Sequence, residues 1–298
     1  MRHLLAATDL SAPSDLALAR AIGLARHTGA RLTIATVEPA HDLAHLAAEP
    51  NPVALGEFER TLADFTAREL AARVERARAA GVDATSVFRH GRPGDTLRDL
   101  AEELDVDLIV VGSAGHTGLK RLVLGSVAEQ IAHSAQRPVL IVRGTGAEDA
   151  TAGFAKILVA TDFAAPAQQA LATAQALAAP AAAVQAVYAW HYPAGSLGLA
   201  ALGERTHATA ALREALTQGP QTRGAQLVAA EAAAGRTITF ELRHGDAADV
   251  IVDAATDGGF DLIATGTGGG GGVRRLLLGS VATRIIRHAP CSVLVTHG

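Results

Sequence analysis

One glycine pattern occurs twice in this chain, once near the end of each half, and it limits the fold more than any other feature. Gly112-Ser113-Ala114-Gly115 is followed by Gly125-Ser126, and Gly266-Thr267-Gly268-Gly269 by Gly279-Ser280, with the same nine-residue gap in both copies. Gly266 lies 154 positions after Gly112. Each half also opens on an apolar run that ends in Ala-Thr-Asp, at Asp9 and at Asp162, 153 positions apart. A drift of one residue over that distance identifies two copies of one unit, and 298 residues is about two ordinary domains. The small, polar, glycine-rich stretch Gly144–Gly153 reads as the linker, which places the domains at 1–145 and 154–298.

Within each half, short apolar runs alternate with longer helical patterns, the signature of a parallel sheet flanked by helices. The first half reads as strands Leu4–Thr8, Leu32–Val37, Thr85–Arg89, Leu108–Val111 and Val139–Val142. The second reads as Ile157–Thr161, Val184–Ala189, Ile238–Arg243, Leu262–Thr265 and Ser292–Val295. Near-continuous apolarity in the first, fourth and fifth of each set predicts strands buried on both faces. Helices are expected over Asp15–His27 and Phe58–Ala80, from Pro93, and over Val127–Ser134 and Val281–His288. Pro39–Pro52 reads as a surface excursion.

Composition supports a packed, soluble protein: 49% hydrophobic and 19% charged residues suffice for a core, and 3% aromatics mean that it is built from Ala, Leu, Val and Ile. A net charge of −4 leaves no electrostatic footprint for nucleic acid. Cys291, the single cysteine, excludes an intramolecular disulfide and reads as an inert buried thiol. The apolar N-terminus meets Asp9 too soon for a signal peptide, and the stretch from Leu177 to Trp190 is too short to span a bilayer. The expected location is the cytoplasm, with no membrane partner.

Open parallel sheets bind ligands beyond the carboxyl ends of their strands, where strand order reverses. Asp9 ends the first strand and Gly112 the fourth; if those strands are neighbours, both face one crevice. Glycines in such a loop tolerate positive φ and let backbone N–H groups approach a phosphate. Gly125-Ser126 opens the next helix, whose amides and dipole favour an anion, and the Ser126 hydroxyl adds a donor. Asp9 suits a sugar hydroxyl or a base edge. No Gly-x-x-x-x-Gly-Lys-Ser/Thr occurs, and no Gly-x-Gly-x-x-Gly follows the first strand, so neither a Walker loop nor a Rossmann fingerprint is present.

Gly-x2-Gly-x9-Gly-Ser/Thr after the fourth strand, with Asp ending the first, resembles the ATP-binding branch of the universal stress proteins, as a tandem two-domain member. The resemblance implies an α/β fold: two repeated open-sheet domains, each a five-stranded parallel sheet in the order 3-2-1-4-5 with helices on both faces. It also implies that the fifth strands pair across domains or subunits, giving an intramolecular pseudo-dimer or a homodimer. ATP with magnesium is the implied ligand. Its contacts in the first half would be Asp9, Val37, Gly112, Gly115, Gly125, Ser126 and Val127. In the second half they would be Asp162, Ala189, Gly266, Gly269, Gly279, Ser280 and Val281. Ala189 stands where the family has valine, flanked by Tyr188 and Trp190, and the run Gly268–Gly272 raises the ordering cost of the second loop. Unequal affinities are therefore expected.

Other motifs carry less. Lys120-Arg121 and Arg274-Arg275 occupy equivalent places between the glycines, suited either to a terminal phosphate or to a solvated turn. Arg89-His90-Gly91 and Arg243-His244-Gly245 repeat after the third strand and read as surface or structural histidines. His41 and His45 lie one turn apart, but Asp42 and the nearby prolines argue against catalytic zinc. Ser11 and Ser14 read as helix caps. The function expected is a nucleotide-dependent stress-response regulator with slow or no hydrolysis, acting on an unidentified protein partner. The alternatives are a low-turnover ATPase or phosphotransferase, and a nucleotide-free scaffold.

Overall fold

The computed structural model describes residues 1–39, 52–113, 124–144, 153–192, 207–268 and 278–297, the side chains of 52–55 and 207–209 apart. The chain divides into two compact units, Met1–Gly153 and Phe154–Gly298. The first runs β1 (His3–Ala7), α1 (Ala12–Thr28), β2 (Arg31–Glu38), α2 (Pro52–Ala79), β3 (Ala84–His90), α3 (Pro93–Glu103), β4 (Leu108–Gly112), α4 (Ser126–Ser134) and β5 (Val139–Val142). The second runs β6 (Phe154–Ala160), α5 (Ala165–Ala176), β7 (Ala178–Trp190), α6 (His207–Ala233), β8 (Ile238–His244), α7 (Ala247–Gly258), β9 (Leu262–Gly266), α8 (Ser280–His288) and β10 (Ser292–Thr296).

All strands within a unit pair in parallel, in the order β3-β2-β1-β4-β5 and, in the second unit, β8-β7-β6-β9-β10. That is the expected 3-2-1-4-5 order in each. Two crossovers step one way from β1 and the next two step back the other way. Because such crossovers are right-handed, the reversal puts α1 and α2 on one face and α3 and α4 on the other. The central strands are accordingly buried throughout: Leu4, Leu5 and Ala6 in β1, Leu108 to Val111 in β4, and Leu262 to Thr265 in β9.

Local chemistry sets the helix ends. Ser11 caps α1, its hydroxyl accepting from the Ser14 amide, with Pro13 in the first turn and Gly29 at φ 70° closing the last. Ser11 thus caps the helix as expected, while Ser14 lies inside it and its hydroxyl bonds Thr8 Oγ1 and donates to the Ser11 carbonyl. Helix α1 begins three residues before the periodicity suggested, because this cap sits there. Helix α2 buries Thr66, Leu70, Arg73, Val74 and Ala77, a stripe at helical spacing. Strand β7 begins at Ala178, six residues before the expected Val184. Leu177 ends α5 without a glycine, so the chain enters the sheet at once, with Ala178 opposite Phe154. An irregularity between Phe154 and Lys156 then absorbs the exposed Pro180, which has no N–H for a ladder. Cys291 is buried, as expected, and no described helix is long and apolar enough to cross a membrane.

His3, at the start of β1, is 4% exposed. Its Nδ1 lies 3.1 Å from the Leu104 carbonyl and its Nε2 2.8 Å from Thr33 Oγ1. Burial, with help from Arg31, lowers its pKa below the ordinary 6.5 against the opposing pull of the Leu104 carbonyl, Asp107 and Asp105. The unfolded chain therefore takes up this proton first, so stability present above pH 6.5 is lost as pH falls below it. The expected loss is at most about 1.4 kcal/mol per pH unit. Denaturation midpoints at pH 7.5 and 5 should converge in His3→Gln, and an unchanged pH slope would refute this assignment.

Candidate functional site

Because β1 pairs with both β2 and β4, the switch point lies between β1 and β4, and in the second unit between β6 and β9. Asp9 and Gly112 therefore leave neighbouring strands at the same end, as do Asp162 and Gly266. Beyond Asp9 the chain takes an uncommon turn. Leu10 has φ 64° and its counterpart Phe163 φ 62°, left-handed values that non-glycine residues rarely adopt. The same strain at the same point of both units marks a conformation that the surroundings enforce.

In the first unit the Leu10 amide donates to Thr8 Oγ1 at 3.0 Å. Asp9 Oδ1 accepts from the Ser11 amide at 3.1 Å and from the Ser11 hydroxyl at 2.5 Å. Thr36 Oγ1 donates to the Thr8 carbonyl at 3.0 Å, which ties the end of β2, and so the half-buried Val37, to the residue before Asp9. In the second unit the Phe163 amide donates to Thr161 Oγ1 at 3.0 Å and the Ala164 amide to Asp162 Oδ1 at 2.9 Å. Ala164 stands where the first unit has Ser11, so Asp162 lacks the hydroxyl and α5 has no side-chain cap. Tyr188 takes the place of Thr36 and stacks on Phe163 at 5.4 Å, beside Ala189. Phe240 adds a ring at 5.8 Å and Arg223 lies 4.9 Å over the Phe163 ring.

The glycine pattern closes on itself. The Gly125 amide donates to the Ser113 carbonyl at 2.8 Å, so the chain that leaves β4 is back against it before α4 begins. Gly279 repeats the contact to Thr267 at 2.7 Å. Each helix then starts from a glycine, which has no side-chain acceptor, so no cap side chain engages its first-turn N–H groups. Ser126 and Ser280 stand exposed at these starts, Val127 half-buried and Val281 exposed.

One expectation needs correction. Gly125 and Gly279 have φ −66° and −64°, so a left-handed backbone does not explain them. Space does, where it can be measured. A Cβ on Gly279 would lie 2.7 Å from the Thr267 carbonyl oxygen, and one on Gly266 2.6 Å from Pro166 Cβ and 2.9 Å from the Ala167 nitrogen. Only Gly268, at φ 124°, uses positive φ among the described glycines of the two loops.

Gly115, Gly269, Lys120-Arg121, Arg274-Arg275, His41 and His45 lie outside the described residues. The repeated histidines are surface residues: His90 lies 4.8 Å from Phe88 and faces Glu38, and His244 packs 4.6 Å from Trp190. Sequence reasoning missed Thr8, Leu10 and Arg73. Arg73 Nη2 donates to the Leu10 carbonyl at 3.1 Å from a helix more than fifty residues away. Ser11→Ala, which removes both the α1 cap and an Asp9 partner, should cost about 1 kcal/mol in denaturant melts. The second unit already carries alanine there, so an unchanged midpoint would show that the cap contributes nothing.

A model of the universal stress protein family matches residues 1–143 and again 153–297. A universal stress protein of Bacillus subtilis (strain 168) is 44% identical over 69 residues, and one of Methanocaldococcus jannaschii 43% over 63. These matches span 47% and 37% of those relatives' lengths, so the chain covers less than half of each. A Staphylococcus aureus (strain USA300) protein that carries the same family name is 31% identical over 144 residues, 48% of this chain and 84% of the relative. The crystal structure of a universal stress protein from Archaeoglobus fulgidus superposes with a TM-score of 0.71 at 20% identity, over 99% of this chain and 98% of that one. At that identity the likeness speaks for the fold.

Proposed function

The chain belongs to the universal stress protein family, and on that premise we propose that each unit binds an adenine nucleotide, ATP with magnesium, as a regulator whose nucleotide state changes its shape or association. The observation that carries the reading is the glycine-capped helix start returned by hydrogen bond onto the end of the fourth strand, next to an anchored aspartate, in both units. The residues suit a nucleotide. Glycine caps leave N–H donors for phosphate, and at Gly279 a Cβ would strike the Thr267 carbonyl that holds the helix start in place. A backbone N–H donates to Oδ1 of Asp9 and of Asp162, which fixes each carboxylate at the end of its strand, where it suits a sugar hydroxyl or base edge. The sequence offers no nucleophile–base pair beside these carboxylates, which is why hydrolysis is expected to be slow or absent. The Ser11 hydroxyl makes the first site the better prepared of the two.

The test is the nucleotide content of the purified protein. Acid-denatured supernatant is separated by ion exchange, in parallel with a titration using ATP and magnesium. About two adenine nucleotides per chain would support both sites, and about one would single out the first unit. No adenine nucleotide in either arm would overturn the reading and leave association alone as the function.

A further inference from the structure

The peptide group between Leu10 and Ser11 is held at both ends. Its N–H donates to Asp9 Oδ1 at 3.1 Å, and its carbonyl accepts from Arg73 Nη2 at 3.1 Å. The guanidinium that does this is only 8% exposed, and its other donors are taken: Nε by Asp15 Oδ1 at 3.0 Å and Nη1 by Glu69 Oε2 at 2.7 Å. A buried cation so paired has a fixed geometry, and so does the peptide plane it holds. In the second unit the matching peptide, Phe163–Ala164, gives its N–H to Asp162, while its carbonyl accepts from Gln168 Nε2 at 3.2 Å. Gln168 occupies the position of Asp15, as the helix starts at Ala12 and Ala165 show. An aspartate cannot donate there. The first unit therefore brings its donor from α2 and uses Asp15 to hold it, where the second unit uses one amide from its own helix.

We propose that Arg73, seated on Asp15 and Glu69, is the positioning residue of the first site: it fixes the strained Leu10–Ser11 peptide and through it the Asp9 carboxylate, so that this peptide answers to the placement of α2, whereas in the second unit the matching carbonyl is held from α5 and α6 reaches the Phe163 ring instead, through Arg223. Where a ligand is concerned, this rests on the nucleotide reading above.

The experiment uses the full chain with the second site closed by Gly279→Val, and measures ATP–magnesium affinity by titration. Arg73→Met weakens binding about tenfold, the size of one charge-assisted hydrogen bond. Adding Asp15→Gln to Arg73→Met, which installs the second unit's arrangement in the first, restores most of it. Arg73→Met added to Asp9→Ala weakens binding no further than Asp9→Ala alone. No loss in Arg73→Met, independent effects of Arg73 and Asp9, or no recovery with Asp15→Gln overturns the proposal.

A second measurement needs no nucleotide. Amide exchange at Leu10 and Ser11 quickens about tenfold in Arg73→Met relative to Ile109 in β4, and slows again with Asp15→Gln. Equal exchange at Ser11, whose N–H belongs to the clamped peptide, in wild type and Arg73→Met refutes the clamp. Should the first unit bind no ATP at all, the nucleotide reading falls and the exchange result alone decides the role of Arg73.

Discussion

Gly266→Val is expected to lower the melting temperature of the protein by about 5–10 °C. The added Cβ would lie 2.6 Å from Pro166 Cβ, 2.8 Å from the Pro166 carbonyl carbon and 2.9 Å from the Ala167 nitrogen. Two of those three atoms are backbone in the first turn of α5, so no rotamer change relieves the clash. Helix α5 must lift from β9. That would strain the bond from Thr296 Oγ1 to the Pro166 carbonyl, 2.7 Å long, which ties β10 to the same turn. Overpacking of this kind costs about 1–3 kcal/mol, and each kcal/mol moves the midpoint of a unit this size by about 2–4 °C. Gly56→Ala is the control: it sits in α2 with nothing within 4 Å of the new Cβ, so calorimetry should show no loss. A Gly266→Val midpoint equal to wild type would mean that α5 yields freely and that the glycine is not there for packing.

The parts of this molecule that the sequence revealed are those written in repeated or periodic form. The twin aspartates, the nine-residue glycine gap and the alternation of apolar runs with helical patterns all depend on residues close together in the chain, and each expected run overlaps a strand, although β6 and β7 begin earlier. The capping role of Ser11 was legible for the same reason. What stayed hidden depends on contacts between distant segments. The hold of Arg73 on Leu10 needs α2 packed across β2 and β3 before it exists. Nothing in Asp9-Leu10-Ser11 or Asp162-Phe163-Ala164 signals a left-handed residue, because leucine and phenylalanine are poor candidates for one. The early start of β7 was masked by Pro180, normally a strand breaker, which is tolerated here because the register slips around it. The glycines were found but partly misread: at Gly279 and Gly266 what matters is the oxygen or helix turn that a Cβ would strike.

The second large effect follows from that correction. On the nucleotide reading proposed above, Gly279→Val should remove one nucleotide per chain, weakening the second site about 100-fold or more while the first retains its ligand. The Thr267 carbonyl that receives the Gly279 amide at 2.7 Å stands equally 2.7 Å from where the Cβ would lie. A β-branched side chain there pushes the start of α8 off the end of β9, and the Ser280 and Val281 amides move with it. Two charge-assisted hydrogen bonds to phosphate, each about 1.5–3 kcal/mol, account for the expected factor. Gly125→Val should do the same to the first site, because the Gly125 amide makes the matching bond to Ser113. The pair together should leave a chain that keeps its far-ultraviolet circular dichroism and carries no nucleotide. Retention of both nucleotides by the double variant would place the phosphates away from these helix starts. Loss from both sites on changing either glycine alone would show instead that the two sites are energetically linked, since each substitution lies in its own unit.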